Sequence, residues 1–280
     1  MTNSKSNVTA IIPCYNDGQY IMQALKSLYN QTLLPEQIII VDDGSSKATT
    51  QILAKINHPL LHIIYQENKG VSNARNHAIS FAQTDYIVNL DADDYYESSF
   101  IEKAVDILNN NNEVVAVSSY CRIFSNHNTI EIIAPLGGKL KDFIVINKSR
   151  ANSMFRKKSW ASVGGFDEKM QNGYEDWEFW IAILKQGGTA HIIKEVLSHY
   201  RIKKVSRDQI ALKNHDFELR KYIYFKHKEV YQAHLDFYIG ELLRQNSFLR
   251  NTVHKTKKSV DYKAGEFILK PLRAVKKIFK

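Results

Sequence analysis

Within the first ninety residues, short apolar runs alternate with segments of helical periodicity, and few architectures accommodate that alternation. Residues 8–13, 37–41, 61–65 and 85–90 each read as a strand rich in Ile, Val and Leu. Between them, residues 19–29 place Ile21, Leu25 and Leu28 on one face, a second helix follows a cap at Ser45 or Ser46, and residues 71–82 form a third. Strands separated by helices in this way predict βαβ units and an α/β fold with a mainly parallel sheet. Residues 100–108 continue as helix and 114–119 as strand, while 125–148, around Pro135 and Gly137-Gly138, predict a hairpin or an insertion over a cleft. From Glu175, the residues Trp177, Trp180, Ile181 and Leu184 mark one face of a helix ended by Gly187-Gly188, and the chain turns helical after Ser206.

The apolar run 86–90 leads straight into Asp91-Ala92-Asp93-Asp94. Asp91 and Asp93 therefore fall at the C-terminal end of a buried strand, the edge at which open α/β sheets bind ligands. Carboxylates packed this closely repel one another unless a cation joins them, and a hard divalent ion with oxygen ligands suits them. The residues themselves thus point to a metal-diphosphate site, against the alternative of a solvated acidic turn.

Bulk properties narrow the function classes. The chain has 280 residues, 44% of them hydrophobic, which is ordinary for a globular protein. Residues 1–7 are polar without an apolar signal core, and no apolar run approaches the ~20 residues needed to span a bilayer. Cys14 and Cys121 lie far apart without metal-ligand spacing and read as free thiols in a reducing cytoplasm. The net charge is +9, and residues 252–280 hold nine Lys or Arg against only Asp261 and Glu266. Phe267, Ile268, Leu269, Leu272, Val275, Ile278 and Phe279 interleave with those cations, giving a basic amphipathic segment with a break expected at Pro271. Such a segment predicts peripheral attachment to an anionic membrane surface on the cytoplasmic side, with a merely solvated charged tail as the alternative. Nucleic acid is not expected as a partner, since no recognition motif accompanies the charge.

Six segments, taken in order, resemble the family 2 inverting glycosyltransferases of the GT-A fold. They are Ile11-Ile12-Pro13-Cys14-Tyr15-Asn16, Val41-Asp42-Asp43-Gly44-Ser45, Asn68 to Asn76, Asp91-Ala92-Asp93-Asp94, Gly164-Gly165-Phe166-Asp167-Glu168 and Glu175-Asp176-Trp177. Asp-x-Asp alone occurs by chance in many proteins, whereas the ordered set spans roughly residues 8–206. The resemblance implies a Rossmann-like nucleotide-diphospho-sugar transferase domain over 1–206 and a helical C-terminal extension over 207–280. It implies a metal-dependent hexosyltransferase that moves a sugar from a nucleotide donor, a UDP-sugar, to a glycan or lipid-linked acceptor in cell-surface polysaccharide synthesis.

The resemblance also assigns roles. Pro13, Tyr15, Asn16, Asn68 and Gly70 fall among the donor-binding residues, together with Ala92 between the two aspartates. Asp42 and Asp43 match aspartates that contact uridine, although an Asp-Gly turn by itself explains carboxylates there. Arg75 could engage a diphosphate bidentately or join an ordinary ion pair. Asp91 and Asp93 would hold Mn²⁺ or Mg²⁺, with Asp93 on the metal and Asp91 nearer the ribose. Asp176 corresponds to the general base, with Glu175 and Trp177 beside it in the site; a carboxylate in a helix's first turn also has the simpler explanation of the helix dipole. Trp177 and Trp180 fit a core face better than a sugar platform. The family often has His two residues past Tyr-Arg where this chain has Lys203, whose ammonium cannot ligate a metal but could neutralise a diphosphate. A nucleotidyltransferase of similar fold would carry a Gly-rich basic loop after the first strand, which 13–18 does not resemble. A silent sugar-binding protein would have no use for the full acidic set.

Overall fold

A computed structural model describes residues 6–125, 128–203 and 206–278, with side chains as far as 269 except that of residue 208. The N-terminal five residues and the side chains of the last basic stretch, 270–280, lie outside the described residues. The chain forms two compact units, Met1–Val230 and Tyr231–Lys280.

The first unit opens with β1 (Val8–Cys14), α1 (Gly18–Tyr29), β2 (Gln37–Asp43), α2 (Lys47–Leu53), β3 (Leu61–Gln66), α3 (Val71–Phe81) and β4 (Tyr86–Asn89). These four strands run parallel in the order β3-β2-β1-β4. β1, β2 and β4 are buried almost throughout, which is why they read as continuous apolar runs instead of an alternation. Next come β5 (Tyr95–Tyr96), α4 (Phe100–Asn110), β6 (Val114–Ser125), β7 (Asn128–Ile133), α5 (Leu140–Phe143), β8 (Met154–Arg156), α6 (Lys157–Ser162), α7 (Glu175–Lys185) and β9 (Thr189–Arg201). β8 pairs antiparallel with β4 and β6, and β9 runs parallel to β6, so the sheet is mixed beyond β4. β6 and β7 form a hairpin that pairs residues 121–125 with 128–133, so it begins before the expected 125–148 segment and does not turn at Pro135 or Gly137-Gly138.

After Ser206 the first unit continues through α8 (Arg207–Ile210), a π-helical turn at Ala211–His215, α9 (Asp216–Lys226) and the start of α10 (Lys228–Ala233). The second unit is helical, with α11 (Leu235–Lys258) and α12 (Val260–Ile278). α11 contains no buried residue and exposes Leu243, Phe248 and Leu249, as α12 exposes Phe267 and Ile268. α12 continues through Pro271, where the sequence predicted a break. An interior proline removes one backbone donor and its ring crowds the carbonyl four residues back, which can kink a helix without ending it. Among the described residues, no helix is long and apolar enough to cross a membrane.

Candidate active site

The C-terminal ends of β1, β2 and β4 face a cleft of about 780 Å³. Asp43, Asp91 and Asp93 line it from the sheet, and Asp176 and Trp177 line it from the first turn of α7. Residues separated by more than eighty positions in the sequence thus share one cavity.

Asp91 is fixed from behind. Its backbone N–H donates to Asn152 Oδ1 at 3.0 Å, and its Oδ1 accepts from Arg75 Nη2 at 2.8 Å. Arg75 has no exposed surface. Its Nε donates to Asn89 Oδ1 at 3.1 Å and its Nη1 to Glu175 Oε1 at 2.8 Å. Glu175 Oε1 accepts a further bond of 2.5 Å from Arg207 Nη2. Burial by itself raises the Glu175 carboxyl, but Arg207 and Arg75 outweigh it and bring the pKa down to about 2. One planar guanidinium therefore ties the end of β4 to the start of α7.

α7 begins under backbone constraint. Gly173 has φ 115° and Tyr174 has φ 61°, a left-handed conformation that a bulky aromatic adopts only when its surroundings hold it. The Tyr174 hydroxyl donates to Asp216 Oδ1 at 2.6 Å, and Trp177 Nε1 donates to the Phe143 carbonyl at 2.6 Å. These bonds aim the first turn of α7 at the cleft. There Asp176 Oδ2 accepts from Asn147 Nδ2 at 2.9 Å and Oδ1 from the Trp177 N–H at 2.7 Å. The Arg220 guanidinium lies 4.9 Å from the centre of the Trp177 ring.

On the opposite wall Lys203 Nζ stands 2.8 Å from Asp93 Oδ2 and 2.8 Å from Asp17 Oδ1. Burial pushes the Asp93 carboxyl up, Lys203 pulls it back, and the negative charges of Asp17 and Asp91 add to the rise. Asp94 is fully enclosed, accepting from Asn152 Nδ2 at 2.6 Å and from the Arg201 N–H at 2.8 Å. Burial and then its two acidic neighbours raise it well above the usual carboxylate range.

The Glycosyl transferase family 2 profile matches residues 9–163, more than half of the chain. This chain belongs to glycosyltransferase family 2. It is similar to the putative teichuronic acid biosynthesis glycosyltransferase TuaG of Bacillus subtilis (strain 168), at 26% identity over 247 residues covering 84% of this chain and 92% of that one. It is also similar to the chondroitin synthase of Escherichia coli, at 28% identity over 197 residues covering 67% of this chain and 28% of the other. The family 2 chain spans less than a third of the length of the chondroitin and hyaluronan synthases it matches. Among solved structures, S. aureus TarS 1–349 in complex with UDP-GlcNAc has a TM-score of 0.61 at 18% identity, covering 72% of this chain and 60% of that one. At that identity the likeness is one of fold, the mixed α/β GT-A arrangement.

Most of the residues expected at the family 2 site line the cleft: Pro13, Tyr15, Asn68, Gly70, Ala92 and Lys203 join the acidic residues and Trp177 already named. Three do not line it. Asn16 joins two loops, its Oδ1 accepting from the Ser46 N–H at 2.8 Å. Asp42 Oδ1 accepts from the Ser45 N–H at 3.2 Å, the bonding of a turn. Arg75 does not face the cleft, and its buried donors meet Asn89, Asp91 and Glu175, so the expectation of a bidentate diphosphate contact gives way to a clamp within the protein. Asp43 lines the cleft but also organises the loop before α3, accepting from the N–H groups of Lys69 at 2.8 Å and Gly70 at 2.9 Å. Gly44, with φ 72°, lets that loop approach: a Cβ there would meet the Asn68 nitrogen at 2.6 Å. Trp177 is only 4% exposed and Trp180 1%, the burial of core residues.

Sequence reasoning missed Asp17, Asn147, Arg207 and Arg220. Asp17 sits in an Asn-Asp-Gly stretch that reads as a turn, and the other three carry no local pattern. Among the described residues no three His, Cys, Asp or Glu side chains gather as a metal cage. A Mg²⁺-type ion held by one or two carboxylates plus substrate phosphates needs no such cage. Asp91 and Asp93, with side chains 25% and 13% exposed on the cleft wall, fit that kind of site.

Proposed function

We infer that the chain transfers a sugar from a UDP-sugar to a hydroxyl of a glycan or lipid-linked acceptor, with inversion at the anomeric carbon, in the assembly of a cell-surface polysaccharide. The observation that carries this reading is the shared cleft, which Asp91, Asp93 and Asp176 all line. Relatives named as chondroitin, hyaluronan and teichuronic acid enzymes support polysaccharide synthesis. TarS complexes with UDP and with UDP-GlcNAc support a uridine donor.

In this reading the sheet edge binds the donor and α7 activates the acceptor. Asp176, oriented by Asn147, takes the proton from the acceptor hydroxyl. The freed oxygen bonds to the anomeric carbon as the bond to the diphosphate oxygen breaks, and the electron pair leaves with UDP. Charge at the anomeric carbon passes through an oxocarbenium-like state. Asp91 and Asp93 would hold Mn²⁺ or Mg²⁺, which when bound supplies positive charge to the departing diphosphate. Lys203 presents a further positive charge from the same wall. The exposed apolar and basic residues of the second unit support peripheral binding to an anionic membrane surface at the cytoplasmic face. Removing 262–280 is then expected to abolish salt-sensitive partitioning to anionic vesicles.

The decisive variant is Asp176→Asn. Transfer should fall by roughly 10²- to 10⁴-fold, while UDP affinity measured by calorimetry stays the same. Full transfer activity in that variant would remove the base assignment.

A further inference from the structure

Three charged side chains from separate segments meet on one wall of the cleft. Lys203, just beyond β9, brings Nζ to 2.8 Å from Asp93 Oδ2 and to 2.8 and 3.1 Å from the two oxygens of Asp17, in the loop between β1 and α1. Their side chains are 32%, 13% and 19% exposed, and all three line the cleft. The Tyr20 ring lies 6.0 Å from the ammonium. Burial would lower the Lys203 pKa, but Asp93 and Asp17 raise it above its ordinary value, so the group stays charged.

The neighbouring carboxylates are already committed. Asp91 is paired with Arg75, and Asp94 accepts from Asn152 and from the Arg201 backbone. A diphosphate entering beside Asp93 meets positive charge from Lys203, or from a divalent ion held there, in addition to Arg150, Arg201, Arg207 and Arg220 elsewhere in the cleft lining. Lys203 and the ion would both use the Asp93 carboxylate, one oxygen of which the ammonium already holds. An ammonium on a flexible four-carbon stem can exchange one anionic partner for another, which a planar buried guanidinium cannot.

We propose that Lys203 is the resident counter-ion of the donor site, holding Asp93 and Asp17 in the free protein and moving onto the nucleotide's diphosphate on binding, so that divalent metal competes with it for Asp93 instead of being required for nucleotide binding. The diphosphate half of this proposal rests on the UDP-sugar reading; the competition for Asp93 does not.

The test compares the full-length wild type with Lys203→Gln and Lys203→Arg. Mn²⁺ binding without nucleotide, read by water-proton relaxation, should tighten about tenfold or more in Lys203→Gln and stay near wild type in Lys203→Arg. UDP binding in EDTA, read by calorimetry, should weaken about tenfold or more in Lys203→Gln. Saturating Mn²⁺ should then close most of that gap. Equal Mn²⁺ affinity in wild type and Lys203→Gln would overturn the competition, and equal UDP affinity in EDTA would overturn the diphosphate role. UDP binding to none of the three proteins, with or without Mn²⁺, would sink the donor reading and the diphosphate role together, while the Mn²⁺ comparison still decides the competition. Lys203→Arg also controls for folding, since it keeps the charge between the two carboxylates.

Discussion

Two cations share the tripeptide Asp91-Ala92-Asp93 and hold it in opposite ways. Arg75 meets Asp91 with no exposed surface, and its fork reaches Asn89 and Glu175 as well. Lys203 meets Asp93 on the cleft wall with a third of its side chain in solvent. The first contact is a fixed part of the protein's interior, because a buried guanidinium that loses a partner leaves a charge stranded. The second can be exchanged, because water and an incoming anion can both replace the carboxylate. Charge pairs of nearly equal length thus serve different ends, and burial is what separates them.

The largest effect that tests this contrast comes from Arg75. Arg75→Met should cost about 3–5 kcal/mol of stability, the usual loss when one partner of a buried pair is removed, measured by urea unfolding. Arg75→Lys should recover little, since a single ammonium cannot span Asn89, Asp91 and Glu175 at once. A Lys variant as stable as the wild type would break the distinction between clamp and counter-ion.

Glu175 gives the next effect, visible in acid. Its folded pKa of about 2 lies below the ordinary 4.5, because Arg207 and Arg75 outweigh the cost of burial. The unfolded chain therefore takes up this proton more readily than the folded one. The stabilisation is complete above about pH 4.5 and drains away as pH falls toward 2. Between about pH 5 and pH 3 the wild type should lose on the order of 2 kcal/mol more than Glu175→Gln does. Parallel losses in the two proteins would mean that the clamp contributes nothing through this carboxylate.

Burial also decided what the sequence could reveal. β1, β2 and β4 are legible because sheet strands covered on both faces must be apolar throughout. β5 and β8, at two and three residues, are too short to show any period. β9 has 13 residues, yet its pairing with β6 shifts register near Tyr120, and each shift moves side chains to the other face. Asp91, Asp93 and Asp176 stand out because acidic residues follow directly on apolar ones or open an apolar helix. Arg75 stays ambiguous in the sequence for the converse reason: a charged residue in a helix looks like a surface residue until its partners, 14, 16 and 100 positions away, are known. Asp17 and Lys203 form a pair 186 residues apart, a separation no local pattern encodes.

The smallest predicted effect completes the scale. Lys103 on α4 approaches Glu195 on β9 to 2.5 Å, closer than either Arg75 or Lys203 comes to its aspartate, but the two side chains are 38% and 54% exposed. Solvent screening and the side-chain entropy lost in holding two long chains together offset most of the attraction at such a site. Lys103→Ala should therefore change stability by less than about 1 kcal/mol, in the same urea measurement used for Arg75. If instead it matched the Arg75→Met loss, distance would govern these pairs and the division of the Asp91-Ala92-Asp93 tripeptide into a fixed half and an exchangeable half would have no basis.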